Sequence, residues 1–150
     1  MKRMVYINEV RLRNIIREVI EDVVNDNVDS RVIYTANVVL DPEGLEKKYP
    51  SELPNKYYHH STNRFGAQPF DEREGERLVL RIKGRLTTDR VDALVVDNPN
   101  SVNEIPHITL ATAEGVKPFE SNLELKRRFD DIVPLNDTVE TEFRNILRRK

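Results

Sequence analysis

From Leu12 the apolar positions fall at Leu12, Ile15, Ile16, Val19, Ile20 and Val23, with Arg and Glu between them. This is the stripe of an amphipathic helix, and it predicts a helix over about residues 8–26, capped by Asn8 and stopped by Asn25-Asp26-Asn27. Arg31 to Leu40, rich in Val and Ile, reads as a first strand that ends at Asp41-Pro42-Glu43-Gly44. One helical turn is expected over Leu45 to Tyr49, then a strand over Lys56 to Phe65 and a polar loop over Gly66 to Gly75. Leu78 to Leu86 alternates, with Leu80 and Ile82 facing one way and Arg81, Lys83 and Arg85 the other. Val91 to Val96 is apolar enough for a strand buried on both faces, and Asp97-Asn98-Pro99-Asn100 turns the chain into a strand over His107 to Ala113. Ser121 and Glu124 have the spacing of a capping box at a helix start. Asp137 to Leu147 reads as a last helix with Val139, Phe143, Ile146 and Leu147 on one face. This mixed order of helices and strands places the chain in the α+β class. Residues 1–150 carry no low-complexity tract or internal linker, which predicts one domain.

Composition narrows the picture. Charged residues make up 33% and hydrophobic ones 38%, as in a protein with a heavily solvated surface, and the formal charge of -2 supplies no global basic field. Phosphate binding must then come from local groups. The lack of cysteine excludes thiolate catalysis and cysteine-ligated zinc and fits a reducing compartment. The N-terminal residues hold no apolar run of signal-peptide length, and nothing approaches a membrane span, so a cytoplasmic location is expected.

The chemistry lies in the histidines. All three have a Ser or Thr two positions later. In Pro106-His107-Ile108-Thr109-Leu110, strand alternation sends His107 and Thr109 to one face and Ile108 and Leu110 to the other. A rougher copy lies in Tyr57-Tyr58-His59-His60-Ser61-Thr62. Side by side, two such strands would bring two imidazoles and two hydroxyls to one small volume. One ring, neutral, takes a proton from the nucleophile, and the other, charged, gives one to the leaving oxygen. The threonines donate to non-bridging phosphate oxygens, and no metal or other cofactor is demanded. His60 and His107 are thus the candidate catalytic pair, Thr62 and Thr109 the candidate phosphate ligands. His59 with Ser61 is the alternative register. Alternation favours His60, because it groups Tyr58, His60, Thr62 and Arg64 on one face and leaves His59 as a supporting group.

The duplicated motif resembles the 2H phosphoesterases, which carry two His-x-Thr/Ser motifs on a pseudo-symmetric sheet fold. His107-Ile108-Thr109-Leu110 is similar to that family's pattern of His, hydrophobic, Thr, hydrophobic. Tyr58-His59-His60-Ser61-Thr62 with Phe65-Gly66 resembles the first motif, although Ser61 and Asn63 stand where hydrophobic residues are usual. Gly115-Val116-Lys117-Pro118 and Ser121-Asn122 resemble branches associated with RNA repair. The resemblance extends from about Val32 to Leu125. It implies a two-lobed fold with a cleft between the motif strands, and hydrolysis of 2′,3′-cyclic phosphates or related nucleotide phosphodiesters by two histidines. The substrate is then an RNA end or a small nucleotide. Two rival readings are a nucleotide- or RNA-binding module without turnover and a hydrolase of cyclic oligonucleotide signals.

Other residues carry weaker signals. Tyr58, Arg64 and Lys117 are candidate substrate contacts, and Tyr57 or Tyr58 could stack a base while the other joins the core. Arg81, Lys83 and Arg85 form a basic stripe that suits either a nucleic-acid backbone or a solvated edge. Asp71, Glu72 and Glu74 read as a solvated loop rather than a metal site.

Overall fold

A computed structural model of the chain describes residues 32–148. The helix expected over residues 8–26 lies outside these residues. The described chain runs β1 (Val32–Val39), α1 (Pro42–Lys48), β2 (Asn55–Lys56), β3 (His60–Phe65), β4 (Arg77–Thr87), β5 (Val91–Asp97), β6 (His107–Thr112), α2 (Glu120–Arg127), a 3-10 turn (Phe129–Asp131) and β7 (Val133–Leu147). All strand pairs are antiparallel. The order β6-β3-β1-β7-β4-β5 closes through a β5–β6 pairing, so six strands form a barrel and the short β2 extends the β3 side of β6. The α+β class holds, and the strands close into one ring rather than opening as two separate sheets.

The alternation of each strand fills the barrel. Leu80 and Ile82 of β4, Leu94 and Val96 of β5, Ile108 and Leu110 of β6 and Val139 of β7 share one core with Leu45 of α1. Closure leaves those strands no free edge along the ring, which suits a chain rich in short strands. β5 is buried on both faces over Val91 to Val96, as its apolar run predicts. Its outer face lies beneath α2, where Val95 packs with Leu86 and Leu125.

Two sequence expectations fail, each for a local reason. Asp137 to Leu147 is not a helix but most of the long strand β7. Val139, Thr141, Phe143 and Asn145 are buried in alternation, a period of two that the intervening polar Thr141 and Asn145 conceal. In β4 a bulge between Ile82 and Gly84 shifts the register and reverses the faces after it. Arg85 therefore leaves the stripe shared by Arg81 and Lys83. It forms a fork to the buried Asp92 (2.9 Å from Nε and 2.9 Å from Nη2) and also donates to the Pro50 carbonyl. Gly84 is required at the bulge: a Cβ there would lie 2.6 Å from Ile132 Cγ2.

Candidate active site

The pairing of Ser61 with Ile108 sets the register of β3 against β6. One step along each antiparallel strand puts His60 opposite Thr109 and Thr62 opposite His107. Each motif thus presents its histidine to the other motif's hydroxyl, on the outer face of the barrel. Ile108 and Leu110 fall on the inner face, as expected, and are fully buried.

Ser61 and Asn63, the positions where apolar residues were expected, also face inward and are buried. They are satisfied by a polar chain. Asn63 donates to Asn37 Oδ1 at 3.0 Å, and Asn98 donates to Asn63 Oδ1 at 2.8 Å and to Ser61 Oγ at 3.0 Å. Asn37 in turn donates to Thr141 at 2.9 Å. The first motif strand keeps its register through side-chain amides where the second uses apolar packing.

His60, Thr62, His107 and Thr109 line a cavity of about 340 Å³, walled by Tyr57, His59, Pro118 and Phe119. A neighbouring cavity of about 460 Å³ shares His60, Thr62 and His107 and continues to Tyr34, Phe65, Asn103 and Asn122. The expected set His59, His60, Thr62, His107 and Thr109 is therefore brought together in one place.

The two rings are held differently. His107 donates from Nδ1 to the Ile105 carbonyl at 2.9 Å, since a carbonyl only accepts. The neutral ring then has a bare Nε2 left for the cavity. Burial pushes His107 below its ordinary value, with the Ile105 bond opposing. His60 Nδ1 lies 2.8 Å from His59 Nδ1, and its ring centroid is 5.3 Å from that of Tyr34. Burial, then the like charges of His59 and His107, push His60 down to about 4. Of the two facing Nδ1 atoms, one carries the shared proton and the other accepts it. The Thr109 hydroxyl lies 2.8 Å from that of Ser121. With Ser121 as donor, Thr109 keeps its proton for a ligand oxygen.

Several sequence assignments require correction. Tyr58 is a core residue, 2% exposed, and its hydroxyl donates to the Tyr49 carbonyl at 2.6 Å. Its φ of 50° lies in the left-handed region, breaks the expected Lys56–Phe65 strand and reverses the alternation. Tyr57 consequently takes the cavity wall in its place. Asn63 sits in a second bulge, opposite Thr35 and Ala36 of β1, so that Phe65 rather than Arg64 joins the site face. Phe65 is 81% exposed. Arg64 and Lys117 are exposed and stand outside the lining of both cavities. Ser121 lies inside the first turn of α2, whose cap is Phe119, and it meets Thr109 instead of capping.

Sequence reasoning missed Tyr34, Asn103 and Phe119. Only the loop around Pro118, noted after the second motif, hinted at one of them. In the acidic loop, Asp71 holds Arg73 and Glu74 holds Asn145. Among the described residues no cluster of three or more His, Asp or Glu is placed to hold a metal ion. No helix among them is long and apolar enough to cross a membrane. No curated protein matches the chain. Residues 45–145, which include both motifs, match the family model of the fungal tRNA ligase phosphodiesterase domain.

Proposed function

The chain belongs to the fungal tRNA ligase phosphodiesterase domain family, a 2H phosphoesterase-type domain, and on that premise we propose that it hydrolyses the 2′,3′-cyclic phosphate of RNA ends. The observation that carries this reading is the crosswise register of the two His-x-Thr motifs around one cavity. The two halves of the ring, each supplying one motif, then act as the two lobes of a single cleft.

In this mechanism the bare Nε2 of His107 takes a proton from water, and the water oxygen bonds to phosphorus. The bond from phosphorus to one ribose oxygen breaks, and His60, in its charged form, passes its Nε2 proton to that oxygen and is left neutral. The product is a ring-opened phosphomonoester, with one water added and no other reactant used. Thr62 and Thr109 donate to the non-bridging oxygens as charge builds on them. The tautomer enforced on His107 by Ile105 supports its assignment as base, which leaves the acid role to His60, whose Nδ1 is held by His59. His59 is then a positioning residue.

Among the described residues, neither cavity is lined by Lys or Arg. A protein that tracks a nucleic-acid backbone does so with such groups. The lining thus favours recognition of one terminal nucleotide over a long strand. The test is turnover of an RNA oligonucleotide ending in a 2′,3′-cyclic phosphate, beside a cyclic mononucleotide and a cyclic dinucleotide, resolved by chromatography. Ring opening of the first two with the dinucleotide intact supports the reading. Selective cleavage of the dinucleotide replaces it with the cyclic-signal reading, and binding without product replaces it with a binding module.

A further inference from the structure

We propose that Ser101 is a positioning residue for the two-histidine site: its hydroxyl ties the loop between β5 and β6 to the backbone of Thr62, and that loop sets the ring of His107. This rests on the function proposed above and goes beyond it, because it names what holds the two motifs in register.

The motif strands make little direct contact. Among the described residues, β3 and β6 share one ladder pair, Ser61 with Ile108. On the His60 side the pairing continues through backbone bonds from Tyr57 to the Leu110 carbonyl (2.8 Å) and from Tyr58 to the Thr109 carbonyl (3.3 Å). On the other side, where Thr62 stands across from His107, the β5–β6 loop takes over. The Ser101 hydroxyl donates to the Thr62 carbonyl at 2.8 Å, and the Val102 N–H donates to the Asn63 carbonyl at 2.9 Å. The phosphate-holding end of the first motif is therefore fixed by this loop rather than by β6.

The same hydroxyl shapes the loop itself. Ser101 Oγ accepts from the Asn103 N–H at 3.1 Å, since a hydroxyl both donates and accepts. Further along, the Ile105 carbonyl takes the Nδ1 proton of His107. The two ends of the loop are anchored separately. Asn98 donates inward to Ser61 and Asn63, and its carbonyl accepts from the Ser101 N–H at 3.1 Å. The Ile105 side chain packs against Leu86, Val95 and Leu125. Ser101 thus lies midway on a path from Thr62, in one motif, to His107, in the other.

Which ring nitrogen of a histidine is bare is set by the bond that the other nitrogen makes. Loss of the Ser101 hydroxyl takes this partner from the Thr62 carbonyl and the Asn103 N–H and frees the segment that carries Ile105. His107 is then no longer confined to the tautomer with Nε2 bare, and its distance from Thr62 is no longer fixed. A misplacement on the order of 1 Å costs about 10²-fold in rate.

The experiment compares the wild type with Ser101→Ala and with Ser101→Thr, which keeps a hydroxyl. The first readout is the His107 ring in protein labelled with nitrogen-15 histidine at pH 8. Long-range proton–nitrogen NMR distinguishes a protonated ring nitrogen from a bare one, and His107→Gln assigns the signals. Wild type and Ser101→Thr should show Nδ1 protonated and Nε2 bare, whereas in Ser101→Ala the two nitrogens should average toward each other. The second readout is turnover of a nucleoside 2′,3′-cyclic monophosphate. In Ser101→Ala kcat should fall about 10- to 100-fold with KM changed less than about threefold, and Ser101→Thr should recover most of the loss. Identical His107 signals in wild type and Ser101→Ala overturn the proposal, as does an unchanged kcat beside an active wild type. An equal loss in Ser101→Thr also overturns it, because the hydroxyl is then not the cause. If the wild type does not open the ring, the hydrolytic function fails and the His107 signals alone decide the positioning. Urea denaturation checks folding. If Ser101→Ala does not fold, Ser101→Cys, which keeps the shape with a weak donor, takes its place with the same outcomes.

Discussion

Thr109 stands across the β3–β6 pair from His60, and its hydroxyl lies 2.8 Å from that of Ser121. Ser121 comes from the first turn of α2, so the helix orients the hydroxyl that meets the ligand. Thr109→Val keeps the branched shape and removes the donor. With hydrogen bonds to charged groups worth roughly 1.5–3 kcal/mol, kcat/KM should fall about 10- to 100-fold. Ser121→Ala should cost less, because Thr109 can still donate. Steady-state kinetics on one cyclic nucleotide checks both, and an equal or larger loss for Ser121→Ala would assign the direct contact to the serine.

The first-motif histidines separate by substitution. His60→Ala should lose a hundredfold or more in turnover, roughly 2.7 kcal/mol of transition-state stabilisation. His59→Ala should lose less than about tenfold, as expected of a group that acts through another, and should shift the pH profile. His59→Gln, which can still hydrogen-bond to His60 Nδ1, should recover much of the loss. Circular dichroism checks that each variant folds. A hundredfold loss confined to His59→Ala would make His59 the reacting group.

Both histidines lie below their ordinary value, His60 at about 4 against 6.5, because burial disfavours the charged ring. Between those values the folded protein binds fewer protons than the unfolded chain. Stability therefore rises with pH across this window and is lost as pH falls through it. His60→Gln removes one such group, so its urea midpoint should drop less than the wild type's between pH 7 and pH 5. Equal drops would show that His60 titrates near its ordinary value. Tyr34 faces His60 from β1, His59 from the residue just before β3 and His107 from β6, and none of these is a carboxylate that would reverse the sign. For catalysis, one ring must be charged and one neutral, so kcat/KM should be bell-shaped with its maximum below pH 6.5.

The polar interior makes a prediction about stability alone. Asn63→Leu restores the apolar residue usual at this position in the motif, yet it removes partners from both Asn37 and Asn98. Asn37 keeps Asn100 as a donor and Asn98 keeps Ser61 as an acceptor, so the loss is that of two hydrogen bonds, each worth about 0.5–1.5 kcal/mol, and the variant should be less stable by about 1–3 kcal/mol in urea denaturation. A neutral or stabilising outcome would mean that the network relaxes onto other partners.

The second motif was fully legible in the sequence because its inner residues, Ile108 and Leu110, are apolar and its alternation is clean. The first was half legible. His60 and Thr62 reach the site as expected, but the inner residues Ser61 and Asn63 are polar and their partners, Asn37 and Asn98, lie far along the chain. The faces of Tyr57 and Tyr58, of Arg64 and Phe65, and of Arg85 were misread for a common reason. A left-handed residue or a bulge inserts one step, and every side chain beyond it changes face. Local sequence does not mark such an insertion. Strand β7 was read as a helix because Val139, Phe143 and Ile146 also satisfy a helical spacing, and only pairing with β1 and β4 selects the strand. Tyr34 and Phe119 escaped notice because their place in the site comes from strand order and from the loop before α2.

The central claim is that two histidines carry the proton transfers that open a cyclic phosphate, with no metal ion required. Its most direct test follows a nucleoside 2′,3′-cyclic monophosphate by phosphorus NMR with EDTA in excess, using wild type, His60→Ala and His107→Ala. The account predicts a single ring-opened phosphomonoester from the wild type, undiminished by the chelator, and a loss of roughly 10²–10⁴-fold in each variant while nucleotide affinity changes little. Turnover that disappears with EDTA and returns with a divalent cation, or that survives in both variants, would contradict it.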